Sequence, residues 1–312
     1  MKTTAFLVSA AAALGVTVGS AHAIPRSFVS GAGAGTTCTR AAPCATFQAA
    51  HNATDPGGEV NCIDPGDFGA VTITKSITID CTGTLGTIRT GGTAVKIDTA
   101  GVVVTLRNLT IVGTPSASGP GIDFTNGAAV FVDKCAITGM SGTTLPNGVG
   151  IRFAPPSAST ARLFISDTTI SNNDNHGLLA LGTSSTTARL ALDGVRFENN
   201  NLAGISANSG AGTIIAQIRN SVFSGNGQNG IKVSGPSGAA SVTLDRSSST
   251  LSGGGGVSSS GPAAYVVLGR SAAVSNVNGL TTDSGGIIFS YQNNHLAGNV
   301  ADGTPTMLLT LK

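Results

Sequence analysis

Along most of this chain one phrase recurs. Apolar residues alternate with polar ones, a turn-forming residue follows, a second apolar residue comes next, and an Asn-rich stretch leads to Gly and an aliphatic. Anchored on the apolar residue two before the turn, the copies fall at Leu106, Val132, Ile165, Leu192, Ile218, Leu244 and Leu268, in steps of 26, 33, 27, 26, 26 and 24 residues. Alternation at a period near 26 is the signature of one coil of a parallel β-solenoid. The expected fold class is therefore all-β, a parallel β-helix of stacked coils.

Within a coil, residues two apart such as Val104 with Leu106, or Leu190 with Leu192, point the same way because strand side chains alternate. They fill the interior. Asn108, Lys134, Asp167, Gly194, Asn220 and Arg246 then mark a tight corner, a set enriched in residues that tolerate left-handed backbone. A second inward file follows at Ile111, Ile137, Ile170, Phe197 and Phe223, and the next strand opens at Gly121-Ile122, Gly150-Ile151, Gly177-Leu178, Gly204-Ile205 and Gly230-Ile231. Open ends of such a stack need covers. Pro43 to Ala53, with Phe47 and Ala50 on one face, predicts a short capping helix, and Thr306 to Leu311 a closing strand. Looser packing is expected in Ser247 to Ser260, where serines and four glycines stand in place of Ile or Phe. The stretch between Val132 and Ile165, with Pro146, Pro155 and Pro156, should bulge as a longer loop.

The ends and the composition place this rod. Lys2, an apolar run from Ala5 to Val18 and the small-x-small triplet Ala21, His22, Ala23 read as an export signal over residues 1–23. The division expected is signal 1–23, N-terminal cap 24–58 and coils 59–312, with the coils from about 247 less regular. Lysine and arginine number 17 against 15 acids, a balance that argues against nucleic acid or an anionic membrane as partner, and no further stretch is apolar enough to span a bilayer. Export permits disulfides: Cys38 with Cys44 across a short loop, and Cys62 with Cys81 between neighbouring coils. Cys135 is left as a buried free thiol, in the register position held by Leu109, Thr168, Val195 and Ser221.

Thr46-Phe47-Gln48-Ala49-Ala50, Pro56-Gly57-Gly58-Glu59-Val60, Asp64-Pro65-Gly66-Asp67-Phe68 and Ile73-Thr74-Lys75-Ser76-Ile77-Thr78-Ile79 resemble the opening of pectin-lyase-like right-handed β-helix proteins. The whole mature chain is similar to a group of secreted bacterial members, including the ending Ser290-Tyr291-Gln292-Asn293-Asn294 with Gly298-Asn299 and Asp302-Gly303-Thr304-Pro305. The resemblance implies right-handed coiling and, for many members, extracellular polysaccharide as ligand or substrate. It does not imply catalysis, because one scaffold hosts many functions. Gly121-Ile122-Asp123-Phe124 through Phe131 also looks like the nucleophile segment of pectin methylesterases, which would make Asp123 the nucleophile and Asp98 its acid–base partner. That segment is one residue short of the family's pattern. The expected arginine motif is absent, with only Leu268-Gly269-Arg270 carrying its first three residues, many coils away.

Other polar groups are weighed in the same way. Stacking by 27 and 26 residues puts Asn173, Asn200 and Asn226 in one file and Asp174 beside Asn201, with His176 and Glu198 nearby. This face is either a structural amide ladder or a ligand site, in which His176 and Glu198 would act as base and acid if a cleft converges there. Asp64, Asp67 and Asp80 form the nearest approach to a calcium-holding cluster, though Asp-Pro-Gly-Asp is equally a turn formula. His51 is expected on the capping helix and His295 in the terminal loop, neither with a partner set. Gly31, Gly33 and Gly35 lack the strand and Lys of a phosphate loop and read as a flexible approach to the cap. Carbohydrate platforms use aromatic faces, yet the chain has no Trp and only Tyr265 and Tyr291; its many Phe residues are assigned to the core. The leading expectation is an exported interaction module without cofactor, directed at extracellular polysaccharide or a cell-surface component, its oligomeric state open. The rival is a polysaccharide-active lyase, hydrolase or esterase built on Asp98 and Asp123 or on the Asp174, His176, Glu198 face.

Overall fold

The computed structural model describes residues 25–115 and 119–310; the expected export signal lies outside them. Three all-parallel sheets run side by side along the chain, one of twelve strands, one of nine and one of ten. Each coil visits them in a fixed order. Val103–Arg107 lies in the twelve-stranded sheet, Leu109–Gly113 in the ten-stranded sheet and Ile122–Asn126 in the nine-stranded sheet, before Ala129–Asp133 returns to the first. The architecture is a right-handed parallel β-helix of about nine turns with one short helix.

Register explains why the repeat period matters. Leu106, Val132, Ile165, Leu192, Ile218, Leu244 and Leu268 are successive cross-strand partners and all are buried. Ile111, Ile137, Ile170, Phe197 and Phe223 form a second buried file, with Phe197 and Phe223 stacked at 5.1 Å. Between the two files the chain turns at Asn108, Lys134, Asp167, Gly194, Asn220 and Arg246, and every one of these has φ between 46° and 66°. Asn, Asp and Gly suit that left-handed backbone, whereas Lys134 and Arg246 occupy it with some strain.

The short helix, Phe47–Ala53, closes the N-terminal end. Its Thr46 cap accepts a hydrogen bond from the Ala49 N–H, and Phe47 packs on Phe68 at 4.9 Å. Before it, Arg26–Val29 pairs in register with Glu59–Cys62 and is the first rung of the twelve-stranded sheet. Gly31, Gly33 and Gly35 are not a flexible approach: a Cβ on each would stand 2.1–2.4 Å from the carbonyl oxygen of Pro65, Cys44 or Ala42. They are glycine because backbone presses against them, the disulfide-closed loop against Gly33 and Gly35 and the Pro65 carbonyl against Gly31. Both expected disulfides, Cys38–Cys44 and Cys62–Cys81, are present, and Cys135 is free and buried.

In the serine-rich coil, Ser248–Thr250 and Gly255–Ser260 still form strands. There the inward aromatic file gives way to Ser249, whose Oγ lies 3.5 Å from that of Ser252. A small space of about 10 Å³, bordered by Ser249, Ser271 and Asn294, lies between this coil and the next ones. The closing strand is Met307–Leu308.

Candidate functional site

The asparagine file is a ladder inside the rod. Asn173 Nδ2 donates to Asn200 Oδ1 at 2.8 Å, and Asn200 Nδ2 donates to Asn226 Oδ1 at 3.0 Å. Asn200 and Asn226 also donate to the carbonyls of Ile170 and Phe197. All three are buried, so their amides face protein and not solvent. Beside them, Asp174 accepts from the Gly142 N–H at 3.0 Å, and the exposed Asn201 donates to the Asp174 carbonyl. His176 Nδ1 accepts from the Ala203 N–H at 3.2 Å. Burial first, and the charge of Lys232 second, push the His176 pKa down to about 4. Glu198 lies on a different sheet, where it pairs with Arg196. The structure thus brings Asn200 into the ladder, and no hydrogen bond or ion pair joins Asp174, His176 and Glu198 to one another.

Asp123 projects from the outer side of the nine-stranded sheet, 8% exposed, and Arg152 of the next coil donates to it at 2.9 Å. Its register neighbour on the other side is Lys96. Asp98 lies two positions beyond Lys96 and falls opposite Asn126, across a bulge after Phe124, and Asp98 pairs with Lys96 at 3.4 Å. The two carboxylates are therefore separated by a lysine. Asp64, Asp67 and Asp80 do not converge either. Asp64 accepts from Ser30 and the Gly31 N–H, which hold its carboxyl below the usual range, while Asp67 accepts from the Arg89 N–H and Asp80 from Thr82. His51 Nε2 accepts from the Thr74 N–H, its pKa lowered mainly by burial. His295 is exposed. Cys135 is walled in, and burial pushes its thiol pKa up to about 12.

The feature that sequence reasoning missed is on the outside of the twelve-stranded sheet. Phe131 and Phe164 are cross-strand partners that point outward, half-buried, with rings 4.5 Å apart and 4° from parallel. Strand parity was the signal available: Val130 and Val132 point inward, so Phe131 between them points out. Alongside the rings runs a row of outward polar residues, Asp80, Arg107, Asp133, Ser166, Asp193 and Arg219, in successive register. Arg107 pairs with Asp80, Ser166 donates to Asp133 at 2.7 Å, and Arg219 pairs with Asp193. Two depressions of about 400 and 250 Å³ lie on this face and share Phe164 and Ser166. A third, about 510 Å³, lies farther along beside Asp245, Arg270 and Tyr291, where Arg270 grips Asp245 through two bonds of 2.8 and 2.7 Å. Flat apolar rings beside a row of donors and acceptors suit a molecule with apolar C–H faces and hydroxyl edges.

Comparison with known proteins supports this architecture. The family described as right handed beta helix region matches residues 66–247. The crystal structure of pectate lyase Pel9A is similar at a TM-score of 0.61 and 14% identity, over 85% of this chain and 74% of that one. Full-length tailspike protein 2 from Escherichia coli O157:H7 bacteriophage CAB120 is similar at a TM-score of 0.40 and 13% identity, over 78% of this chain and 39% of that one. No curated protein matches the sequence. Among the described residues no helix is long and apolar enough to cross a membrane.

Proposed function

Since the chain belongs to the right handed beta helix region family, we propose that it is an exported rod that binds polysaccharide along the outer face of its twelve-stranded sheet, without catalysis. The observation that carries this reading is the outward, stacked pair Phe131 and Phe164, of which Phe164 stands at the shared wall of two depressions and Phe131 lines one of them. Rungs of the groove are one inter-strand step apart, about 4.8 Å, a step comparable with the length of one sugar ring. A glycan laid along the rod therefore meets a new rung of outward side chains at each step, with the two rings on adjacent rungs. Two disulfides fit an oxidising compartment, and the N-terminal signal reading supplies the route to it. Pectate lyase Pel9A shares the fold, and its name supports polysaccharide as the ligand class.

A second reading, a polysaccharide-active enzyme, draws on Asp123 between Lys96 and Arg152. Both are tested by incubating the purified mature protein with a panel of neutral and acidic polysaccharides, following retention and turnover separately. The binding reading expects retention that falls about tenfold in Phe131→Ala or Phe164→Ala, the order of one lost aromatic contact, with no turnover. Turnover abolished by Asp123→Asn would replace it with the enzymatic reading.

A further inference from the structure

Seven arginines of this chain pair with a carboxylate: Arg26, Arg107, Arg152, Arg196, Arg219, Arg246 and Arg270. Among the described residues Arg40, Arg89, Arg162 and Arg189 have no acid within 4.0 Å, and Arg162 and Arg189 are set apart from the other two by facing each other. They are direct cross-strand partners on the outer face of the twelve-stranded sheet, both exposed. Like charges directly opposite in a sheet destabilise it. Nothing nearby relieves them. Ala129 precedes Arg162 in the register row and Ile215 follows Arg189; along their own strands stand Thr160 and Phe164, and Thr187 and Ala191. Every one of these neighbours is uncharged.

This pair adjoins the aromatic platform, because Phe164 is two residues beyond Arg162 on the same face, about 7 Å along the strand. The rings thus have on one side a row in which Arg107 and Arg219 are each paired with an acid and Asp133 is held by Ser166, and on the other two guanidinium groups without an acid partner. We propose that Arg162 and Arg189 form an oxyanion subsite, so that the glycan taken by this groove carries an acidic substituent, a carboxylate or sulfate, on or next to the ring stacked at Phe164. Guanidinium forks match such oxyanions through paired N–H donors. The inference rests on the groove reading and narrows it to acidic glycans.

The test measures binding of dextran, dextran sulfate and polygalacturonate of matched length to the wild type, Phe164→Ala, and the double variant Arg162→Gln, Arg189→Gln. The expected result is binding of dextran sulfate or polygalacturonate at least about tenfold tighter than dextran at low salt, shrinking as salt rises. The double variant loses that preference, binding all three polymers to a similar extent; Phe164→Ala weakens all three. Which acidic polymer binds separates sulfate from carboxylate. A double variant that keeps the preference, or a wild type that binds all three alike, overturns the subsite and leaves the platform standing if Phe164→Ala still weakens binding. A wild type that binds none sinks the groove reading itself. Without ligand, Arg189→Gln should unfold at a higher temperature than the wild type, since it removes a like-charge contact. A lower temperature would show that the pair has a structural partner and would also overturn the proposal.

Discussion

Asn200→Ala separates a structural amide from a binding one. Its Oδ1 accepts from Asn173 Nδ2 at 2.8 Å and from the Asn173 N–H at 3.4 Å, and its Nδ2 donates to Asn226 Oδ1 at 3.0 Å and to the Ile170 carbonyl at 3.1 Å. The residue is fully buried. Truncation removes all four bonds. Asn226 Oδ1 keeps the Asn200 N–H at 3.2 Å, whereas Asn173 Nδ2 loses its partner. A buried donor left unsatisfied costs about 1–3 kcal/mol, and the remaining bonds are worth roughly 1 kcal/mol each at most, so a loss of about 2–4 kcal/mol is expected. Urea denaturation followed by circular dichroism should show it as an earlier midpoint. The exposed neighbour Asn201, with one bond to the Asp174 carbonyl at 3.3 Å, serves as control, and Asn201→Ala should change stability by under about 0.5 kcal/mol. The reasoning is refuted if Asn200→Ala matches the control in stability while losing glycan binding.

Other perturbations probe separate parts of the molecule. His176 has its pKa lowered to about 4 by burial, below the unfolded value of about 6.5, so its contribution is complete above pH 6.5 and is lost as pH falls toward 4. Up to about 3 kcal/mol is at stake, and His176→Asn should flatten the difference between urea midpoints at pH 7 and pH 4.5. Leu251 is 64% exposed in left-handed backbone with φ 56°, where neighbouring coils carry Asn199 and Gly225. Leu251→Asn should therefore stabilise by about 0.5–1 kcal/mol, visible as a raised Tm; an unchanged or lower Tm would contradict the strain assigned there. Cys135, with its thiol pKa raised to about 12, should resist a thiol-specific chromogenic reagent at pH 8 until the protein is unfolded. Labelling of the native protein at the unfolded rate would disprove its burial.

Much of the scaffold was legible because the solenoid repeats its own errors and rules. Asn108, Asp167 and Asn220 announce corners by residue type, and Lys134 and Arg246 become corners only because they recur in the same slot. The second inward file could be read through Phe223 and then ends at Ser249, as the serine run implied. Contacts between coils were less legible, because they depend on loop length and bulges that composition does not encode. Asp98 misses Asp123 because the register sets Lys96 opposite it, and a bulge after Phe124 moves Asp98 on to face Asn126. Arg152, which binds Asp123, lies 29 residues away, across the insertion. Many Phe residues of the repeat stand at inward positions and read as core, but alternation with Val130, Val132, Leu163 and Ile165 places Phe131 and Phe164 outside. Arg162 meets Arg189 only once the coils are stacked.

Backbone hydrogen bonds in this rod join each coil to the next, so they run along its length. A pull applied to its two ends would load them one rung at a time and not all together. The protein should yield under tension as a series of small steps, each freeing about 26 residues, the spacing between bonded positions such as Val195 and Ser221. At about 3.4 Å per residue, a step adds roughly 90 Å of slack chain. A molecule anchored at one end and gripping a polymer along its side would meet sideways drag differently, sharing it across every rung that the polymer touches.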